Sequence, residues 1–512
     1  MRQVLLELMA EVARKDELIA QRQREMDLKQ STIDKLTYEI AQLKRLRYGA
    51  KSEHFDPGQK LLFDEDIDAD IAAVEAQLEA LKASVPRDSE PKQKSKRAPL
   101  PAHLPRRDVH HEPEDTTCRC GCAMKRIGED VSEKLDYTPG TFTVERHERG
   151  KWACSHCRML VQAPVPAQII DKGIPTAGLL AHVAVAKHND HLPLYRQEPI
   201  FGRAGLAIPR STLAAWLGQC GVSLQPLVDA LKAELLRCAV LHADETPVGM
   251  LAPKTGKVHK AYLWAYASGP MEPIKAVVYD FAISRAGEHA RAFLGHDEKA
   301  PKEKRWLGSL VCDDYVGYSA LFRQGVTEAG CMSHARRYFF KLHVTNKSTL
   351  AEKALEYFGL LYDVERLIKD KSAQERLEKR RDLAVPIANA LLKWLKAERE
   401  HVTDGTATAT AFDYSLNRWA ALTRYLDDPA LPIDNNHDEQ QIRPWSTGRK
   451  NWLFAGTLQA GKRAAAITSL IQSAKLNKND PYAYLKDVLT RLPTQKASEI
   501  DALLPHRWKP AS

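Results

Sequence analysis

Two apolar stretches of this sequence run into a carboxylate. ELLRCAVLHAD ends at Asp244, and GSLVCDDYVGY brings Asp313 directly after a short hydrophobic run. Open α/β sheets place their sites at strand ends, and two aspartates on adjacent strands form a holder for divalent cations. Mg²⁺ prefers oxygen ligands and bridges carboxylates to phosphates. Two such ions about 4 Å apart stabilise the attacking and leaving oxygens of an in-line phosphoryl transfer. A lone aspartate in either place serves equally well as a turn or cap residue, so the chemistry needs a third acid. DNNHDEQQIRPWSTGRKNWLFAGT supplies Glu439, with Asn435, Asn436, Arg443, Arg449, Lys450 and Asn451 close by in the chain. A carboxylate for metal beside cations for a phosphodiester is the composition of a DNA-cleaving site. A solvated helix with an Arg–Glu pair has the same composition, and spacing alone does not bring residue 439 to residue 313.

A second set of candidate ligands is sulfur. Cys118, Cys120 and Cys122 stand in CRCGC, and Cys154 and Cys157 in CSHC. Two such knuckles about 30 residues apart converge to four thiolates around one structural Zn²⁺. The second has ordinary C-x₂-C spacing. The first is compressed, so its ligand pair is open, and His111 and His156 are further candidates. The segment between the knuckles reads as short strands and turns with little core, for which metal supplies folding energy.

These groups need elements to position them. After Asp244, HKAYLWAYAS (259–268) and IKAVVYDFA (274–282) read as strands. A short helix follows around Glu288 to Leu294, then the run before Asp313, then a short strand entering a helix in AGCMSHARRYFF (329–340). Strands followed by alternating helices and strands predict a mixed α/β layer fold across 235–340. Residues 341–430 read as helical and 431–475 return to the glutamate segment, with 476–512 as a C-terminal tail. Upstream, 170–232 is helical. A helix from about Pro193, a turn at Gly205 and a helix capped by Ser211 or Thr212 make a helix-turn-helix pattern, with Arg203 and Arg210 at the joint as DNA contacts. A plain helical hairpin has the same pattern.

Further upstream, 111–165 is the zinc segment. Residues 51–110 hold an acidic helix over 65–82 and a basic, proline-containing linker. In the first 50 residues Ile19, Met26, Ile33 and Ile40 recur every seven places, with Leu36 and Leu43 at the companion positions and Arg22 and Lys29 weakening the seam. That is a heptad pattern for a coiled coil joining two chains, or for one helix docked on its own protein.

The chain of 512 residues is long enough for several domains, and its 44% hydrophobic and 28% charged content is that of a globular protein. Its charge of +9 suits a polyanionic partner if concentrated on one face. The N-terminal apolar stretch is too short and too charged for a secretory signal, and no apolar run approaches a membrane span. A reducing cytoplasm is the expected location, and there nine cysteines argue for thiols or metal ligation rather than disulfides.

Taken together, RYGAKSE, LPAHLPR, IGEDVSEKLDY, HLPLYRQE with RSTLAAW, HADETP, CDDYVGY, DNNHDEQQIRPWSTGRKNWLFAG and SLIQSAKLNKNDPYAYLKDVLTRLP resemble, in order and over nearly the whole chain, a transposase of the IS-sixty-six insertion-sequence family. The resemblance implies a ribonuclease-H-like catalytic core with a helical insertion, behind an N-terminal coiled coil, a small zinc-binding domain and a helical DNA-binding region. It implies Asp244, Asp313 and Glu439 as the acids, with Asp313 chosen by alignment through Tyr315 and Tyr318. Asp314 stands where relatives often have Gly, and Gln440 where many have Arg.

The expected activity is cleavage at transposon ends by a metal-activated water and joining of the released 3′-OH to target DNA, using two Mg²⁺. Phosphate contacts are expected from His334, Arg336, Arg337, Arg443, Arg449 and Lys450, and base stacking from Trp445 or Trp452, the latter better suited to a core. The expected partners are double-stranded DNA, a second copy or higher oligomer, and helper proteins of the same element. A metal-dependent nuclease without strand transfer, and a non-catalytic zinc-containing DNA-binding protein, are the alternative readings.

Overall fold

A computed structural model describes most of residues 100–510, except 103, 114, 118–121, 139, 253–256 and 298–300, together with 68–80 and parts of 21–44. Ile19, Arg22, the RYGAKSE segment, most of the basic linker, Cys118 and Cys120 lie outside the described residues. The described residues fall into two compact units. One is drawn from Met1–Val183 and Leu194–Ser223, the other from Ala184–Pro193 and Leu224–Ser512.

In the first unit, the described residues of 21–44 and residues 68–80 are helical. Ile33, Leu36, Ile40 and Leu43 pack on Val74 and Leu78, and Lys44 pairs with Glu75 at 2.8 Å. The heptad seam is therefore covered, over this stretch, by the chain's own acidic helix. A four-stranded sheet follows: β1 (Arg106–His111), β2 (Met124–Thr138), β3 (Thr141–Cys154) and β4 (Leu160–Gln162). β3 pairs parallel with β1 and antiparallel with β2 and β4. The strands are longer than their sequence suggests because β2 and β3 form one continuous hairpin, with Thr138 opposite Thr141 at the turn and Met124 opposite Cys154 at the far end.

Helices α1 (Ala177–His188), α2 (Leu194–Arg203) and α3 (Arg210–Leu235) come next. Thr176 caps α1 by accepting the Leu179 N–H at 3.2 Å. Gly205 takes φ +96°, a left-handed conformation for which glycine is suited, and so turns the chain between α2 and α3. The expected cap at Ser211 or Thr212 is displaced: α3 already begins at Arg210, whose N–H donates to Glu198.

The second unit is built on β5 (Val240–Ala252), β6 (Lys257–Ser268), β7 (Val277–Ala282), β8 (Ser309–Val311), β9 (Thr327–Ala329) and β10 (Phe454–Ala455), with α4 (Glu288–Phe293) between β7 and β8 and the short α5 (Ser319–Arg323) between β8 and β9. The sheet order is β7-β6-β5-β8-β9, and β10 adds to β5. The first three strands are antiparallel to one another, whereas β8 and β9 run parallel to β5. Counted within the unit this is the order 3-2-1-4-5 of a ribonuclease-H-like core. Alternate residues of β5, β6 and β7 (Val248, Ala261, Leu263, Val277, Tyr279 and Phe281 among them) form one buried face with Ile442, Trp445 and Ala465.

On the other side, Val240, Val311 and Ala329 pack with Met332, Ala335 and Phe339 of α6 (Met332–Asn346). The helices α7 (Thr349–Leu367), α8 (Ala373–Lys379), α9 (Val385–Arg399), α10 (Ala407–Asn417) and α11 (Trp419–Thr423) extend that core through Phe358, Leu361, Leu391, Leu395, Phe412 and Leu422. The fully buried Arg380 fastens this helical insertion to the returning chain. It donates to both carboxylate oxygens of Glu365, at 2.8 and 2.7 Å, and to the carbonyls of Tyr425, Asp428 and Leu431.

α12 (Asn436–Trp452) then carries Glu439, and α13 (Leu458–Leu476) closes the edge of the sheet. Strand edges expose unpaired backbone groups that folds must cover. Here Ser469 and Ser473 of α13 accept the N–H groups of Tyr279 and Val277 at 2.8 and 3.0 Å. Gly461 is needed for this approach, since Phe281 leaves no room for a Cβ. The tail from α14 (Pro481–Arg491) folds back, with Tyr484 Oη donating to the Leu503 carbonyl and Arg507 pairing with Glu234 at 2.8 Å.

Candidate active site

The three acids arrive from three elements. The parallel pairing of β5 with β8 ends at His242 opposite Val311, and two residues further along each chain stand Asp244 and Asp313. Equal displacement in a parallel register keeps both on one face of the sheet. Asp244 itself is inside β5 rather than at its end, a correction to the sequence reading. Although ETPVGMLA has no apolar continuity, it remains paired with β6 as far as Ala252. Asp244 is at a strand end only with respect to β8.

Glu439 comes from the first turn of α12. Asn435, fully buried and just before that helix, fixes its entry. Its Nδ2 donates to the Ala243 carbonyl at 3.0 Å, its Oδ1 faces His242 Nδ1 at 2.7 Å, and its backbone N–H donates to Cys331 Sγ at 3.2 Å. One side chain thus ties the Glu439 helix to the residue preceding Asp244. Burial and the neighbouring His437 push the His242 imidazole down to about 3, so it is neutral.

The electrostatics show which acids act on one another. Burial pushes the Asp244 carboxyl up to about 8, with the carboxylates of Glu245, Asp313 and Glu439 adding to the rise and the Glu245 N–H opposing it. Asp438 is fully buried, neither of its oxygens has a hydrogen-bond partner, and burial together with Asp244, Glu245 and Glu439 drives its carboxyl far above the usual range. Glu245 is also raised by burial, although Arg285 and the Tyr318 hydroxyl both donate to it, at 2.7 and 2.8 Å. Arg285 pairs with Glu245 and Arg337 with Glu439, but the buried oxygens of Asp438 have no donor, and a cluster of acids around a buried Asp244 suits a divalent cation. The Asp244, Asp313 and Glu439 donor set is all oxygen, as Mg²⁺ requires.

Asp313 and Asp314 have different surroundings. Asp313 Oδ1 accepts the Tyr315 N–H at 3.0 Å and acts on Asp244. Asp314 is exposed and engaged by Arg418, which also pairs with Glu328 at 2.8 Å. Glu439 is held by Arg337 and stands 3.8 Å from His334 Nδ1. Cys331, His334 and Glu439 each present a ligand atom within 4.8 Å of the other two. Burial pushes the Cys331 thiol up to about 12.

Of the expected phosphate contacts, Arg336, Arg443 and Lys450 are exposed on α6 and α12, and Arg449 donates to the Pro247 carbonyl. Trp445 is buried in the core against Tyr279 and Trp452, which leaves base stacking without a free indole there. In the first unit, Arg203 is exposed at the end of α2 and Arg210 half-buried at the start of α3. Cys122 packs with buried Cys154, Met124 and Trp152, and the Cys157 N–H donates to Cys154 Sγ at 3.4 Å. His111 faces His147 at 3.0 Å, while His156 is exposed.

Asp438, Glu245 and Cys331 were missed in sequence. The first two adjoin the named acids in the chain, and adjacency was the available signal. For Cys331 it was the C-x₂-H spacing to His334.

The strand order and the helical insertion define a core of the ribonuclease-H-like class. Comparison with known proteins makes the assignment specific. Residues 172–463 match the family described as "Transposase IS66 family", 115–158 match a "zinc-finger binding domain of transposase IS66", and 469–506 match an "IS66 C-terminal element". Residues 35–109 match a family described as "Transposase C of IS166 homeodomain". The chain belongs to the IS66 family of transposases. It is similar to two uncharacterized proteins of Sinorhizobium fredii, y4qI and y4jD. Each is 36% identical, over 93% of this chain and 89% and 94% of theirs. A third, y4hP, is 32% identical over 81% of this chain and 77% of its own. Membership supports a polynucleotidyl-transferase activity and DNA binding. Among the described residues, no helix is long and apolar enough to cross a membrane.

Proposed function

We propose that this transposase cleaves the ends of its element and joins the resulting 3′-OH to target DNA, with Asp244, Asp313 and Glu439 as the metal-holding acids. The observation that supports this reading is electrostatic: Asp244 on β5, pushed up to about 8 mainly by burial, is raised further by the carboxylates of Asp313, just past β8, and Glu439 on α12. When bound, a pair of Mg²⁺ ions supplies charge for the developing oxyanions and activates the attacking oxygen. Asp244 and Asp313 orient from the sheet and Glu439 from the helix. Asn435 keeps that helix in place.

Arg336, Arg443, Arg449 and Lys450 grip the phosphodiester backbone, with His334 and Arg337 beside Glu439. Catalysis then comes mainly from positioning and charge neutralisation. Arg203 and Arg210 contact DNA from α2 and α3. One structural Zn²⁺ is held by Cys154, Cys157 and two of Cys118, Cys120 and Cys122. Assembly on DNA as a dimer or higher oligomer, with helper proteins of the element, completes the reading.

The test is incubation of the full chain with labelled element ends, a plasmid target and Mg²⁺. Cleaved ends joined to plasmid are expected. Cleavage without joining would reduce the protein to a nuclease, and intact DNA under all divalent ions would defeat the catalytic reading.

A further inference from the structure

We propose that a soft divalent cation of the Zn²⁺ type binds Cys331, His334 and Glu439, at a site separate from the all-oxygen set but sharing Glu439 with it. The three ligand atoms lie within 4.8 Å of one another. Tetrahedral Zn²⁺ with bonds of about 2.0–2.3 Å holds its ligands roughly 3.3–3.8 Å apart, so a closure of about 1 Å completes the site. Cys331 directly precedes α6 and His334 lies in its first turn, three residues on, so both face the same way. Glu439 faces them from the first turn of α12 and is half-buried.

An independent observation points to a ligand here. His334 Nδ1 is buried without a hydrogen-bond partner and is directed toward Glu439 Oε1, at 3.8 Å. The other ring nitrogen, Nε2, faces Arg337 Nη1 at 3.3 Å. The Asn435 N–H donates to Cys331 Sγ, an outer contact of the kind that steadies a thiolate ligand. As the sulfur–metal bond forms, the thiol releases its proton to solvent. Arg337 must leave Glu439 as the cation arrives, and its partly exposed side chain has room to do so.

Thiolate and imidazole select Zn²⁺ over Mg²⁺, whereas the carboxylates around Asp244 select Mg²⁺. Only Glu439 serves both sets. Occupancy by the soft ion therefore withdraws the third acid and is expected to oppose Mg²⁺. This inhibitory consequence rests on the function proposed above; the binding itself does not.

The test uses the full chain with its intrinsic zinc first quantified, then titrated with Co²⁺ as a spectroscopic probe in the absence of DNA. One further equivalent is expected, with tetrahedral visible bands and a near-ultraviolet thiolate-to-cobalt band. Cys331→Ser should lose the thiolate band, and His334→Gln and Glu439→Gln should weaken binding. Cys238→Ser, at a buried thiol elsewhere, should leave it unchanged. If Cys331→Ser does not fold, the His334 and Glu439 variants decide. No additional equivalent, or a thiolate band that survives in folded Cys331→Ser, overturns the proposal.

In a strand-cleavage assay, Zn²⁺ at about nine times its Kd should raise the Mg²⁺ needed for half-maximal cleavage by about tenfold in the parent protein, since simple competition scales it by 1 + [Zn²⁺]/Kd, and much less in Cys331→Ser. Equal sensitivity of the two proteins would overturn the competition. A chain that binds Co²⁺ as described but never cleaves DNA would refute the catalytic reading and leave this site standing.

Discussion

Arg337 Nη2 donates to both carboxylate oxygens of Glu439, at 3.2 and 3.3 Å. The pair joins α6, at the start of the helical insertion, to the glutamate helix that follows the insertion, so the insertion's two ends meet at the proposed catalytic acid. Both side chains are partly exposed, and such pairs contribute about 0.2–1 kcal/mol. Arg337→Ala should therefore tighten Mg²⁺ binding by no more than about fivefold, read by titration calorimetry without DNA. Strand cleavage should fall in the same variant if Arg337 moves to a phosphate once metal takes Glu439. Unchanged metal affinity together with unchanged cleavage would remove Arg337 from both roles.

The two adjacent aspartates should separate sharply. Asp313 acts on Asp244, whereas Asp314 is taken up by Arg418. Asp244→Asn and Asp313→Asn should each reduce strand cleavage by about three orders of magnitude or more, since each removes a metal-holding carboxylate. Binding of element ends should be largely retained. Asp314→Asn should cost cleavage less than about tenfold, through a looser Arg418. The reverse ranking, measured as single-turnover rates at saturating Mg²⁺, would move the second acid to Asp314.

How far this site was legible in sequence follows from what each residue depends on. The acids announce themselves because each interrupts a local apolar or polar motif, and the mixed α/β layer is carried by local periodicity. The continuation of β5 past Asp244 is carried instead by pairing with β6, to which ETPVGMLA gives no hint. Asn435 to His242 and Arg380 to Glu365 are long-range polar contacts among buried groups, and a polar residue in sequence does not disclose a buried partner. In sequence Trp445 and Trp452 are both candidates for base stacking, and nothing local marks Trp445 as a core residue. Its helix turns that position toward Tyr279 and Ile442 in the core.

Asn435 carries a prediction of its own. Replacement by Ala leaves His242 Nδ1 and the Ala243 carbonyl without their partner inside the protein. Each of the two abandoned buried groups costs about 1–3 kcal/mol, so a total loss of about 2–6 kcal/mol is expected in urea unfolding. Glu439 loses its anchor at the same time. Where the variant remains folded, cleavage should fall further than Mg²⁺ binding does, because misplacement by about 1 Å is costly to reaction geometry. A variant as stable and active as the parent would show that α12 is positioned by its apolar contacts alone.

Asp244 also makes stability depend on pH in a determined direction. Its carboxyl is pushed from the ordinary 3.8 to about 8 in the folded, metal-free protein. Between those values the folded state holds a proton that the unfolded state has released. This contribution to stability is therefore full below about pH 4, declines as pH rises, and is gone above about pH 8. The Tm of metal-free protein should fall from about pH 5 to about pH 8.5, and the Asp244→Asn curve should be flatter, with a gain of about 1–2 kcal/mol at the alkaline end. Mg²⁺ should raise Tm more at the alkaline end, where the carboxylate no longer has to lose a proton to bind it. Identical pH curves for parent and Asp244→Asn, with and without Mg²⁺, would mean that Asp244 is an ordinary solvated carboxylate and that the acids do not crowd it.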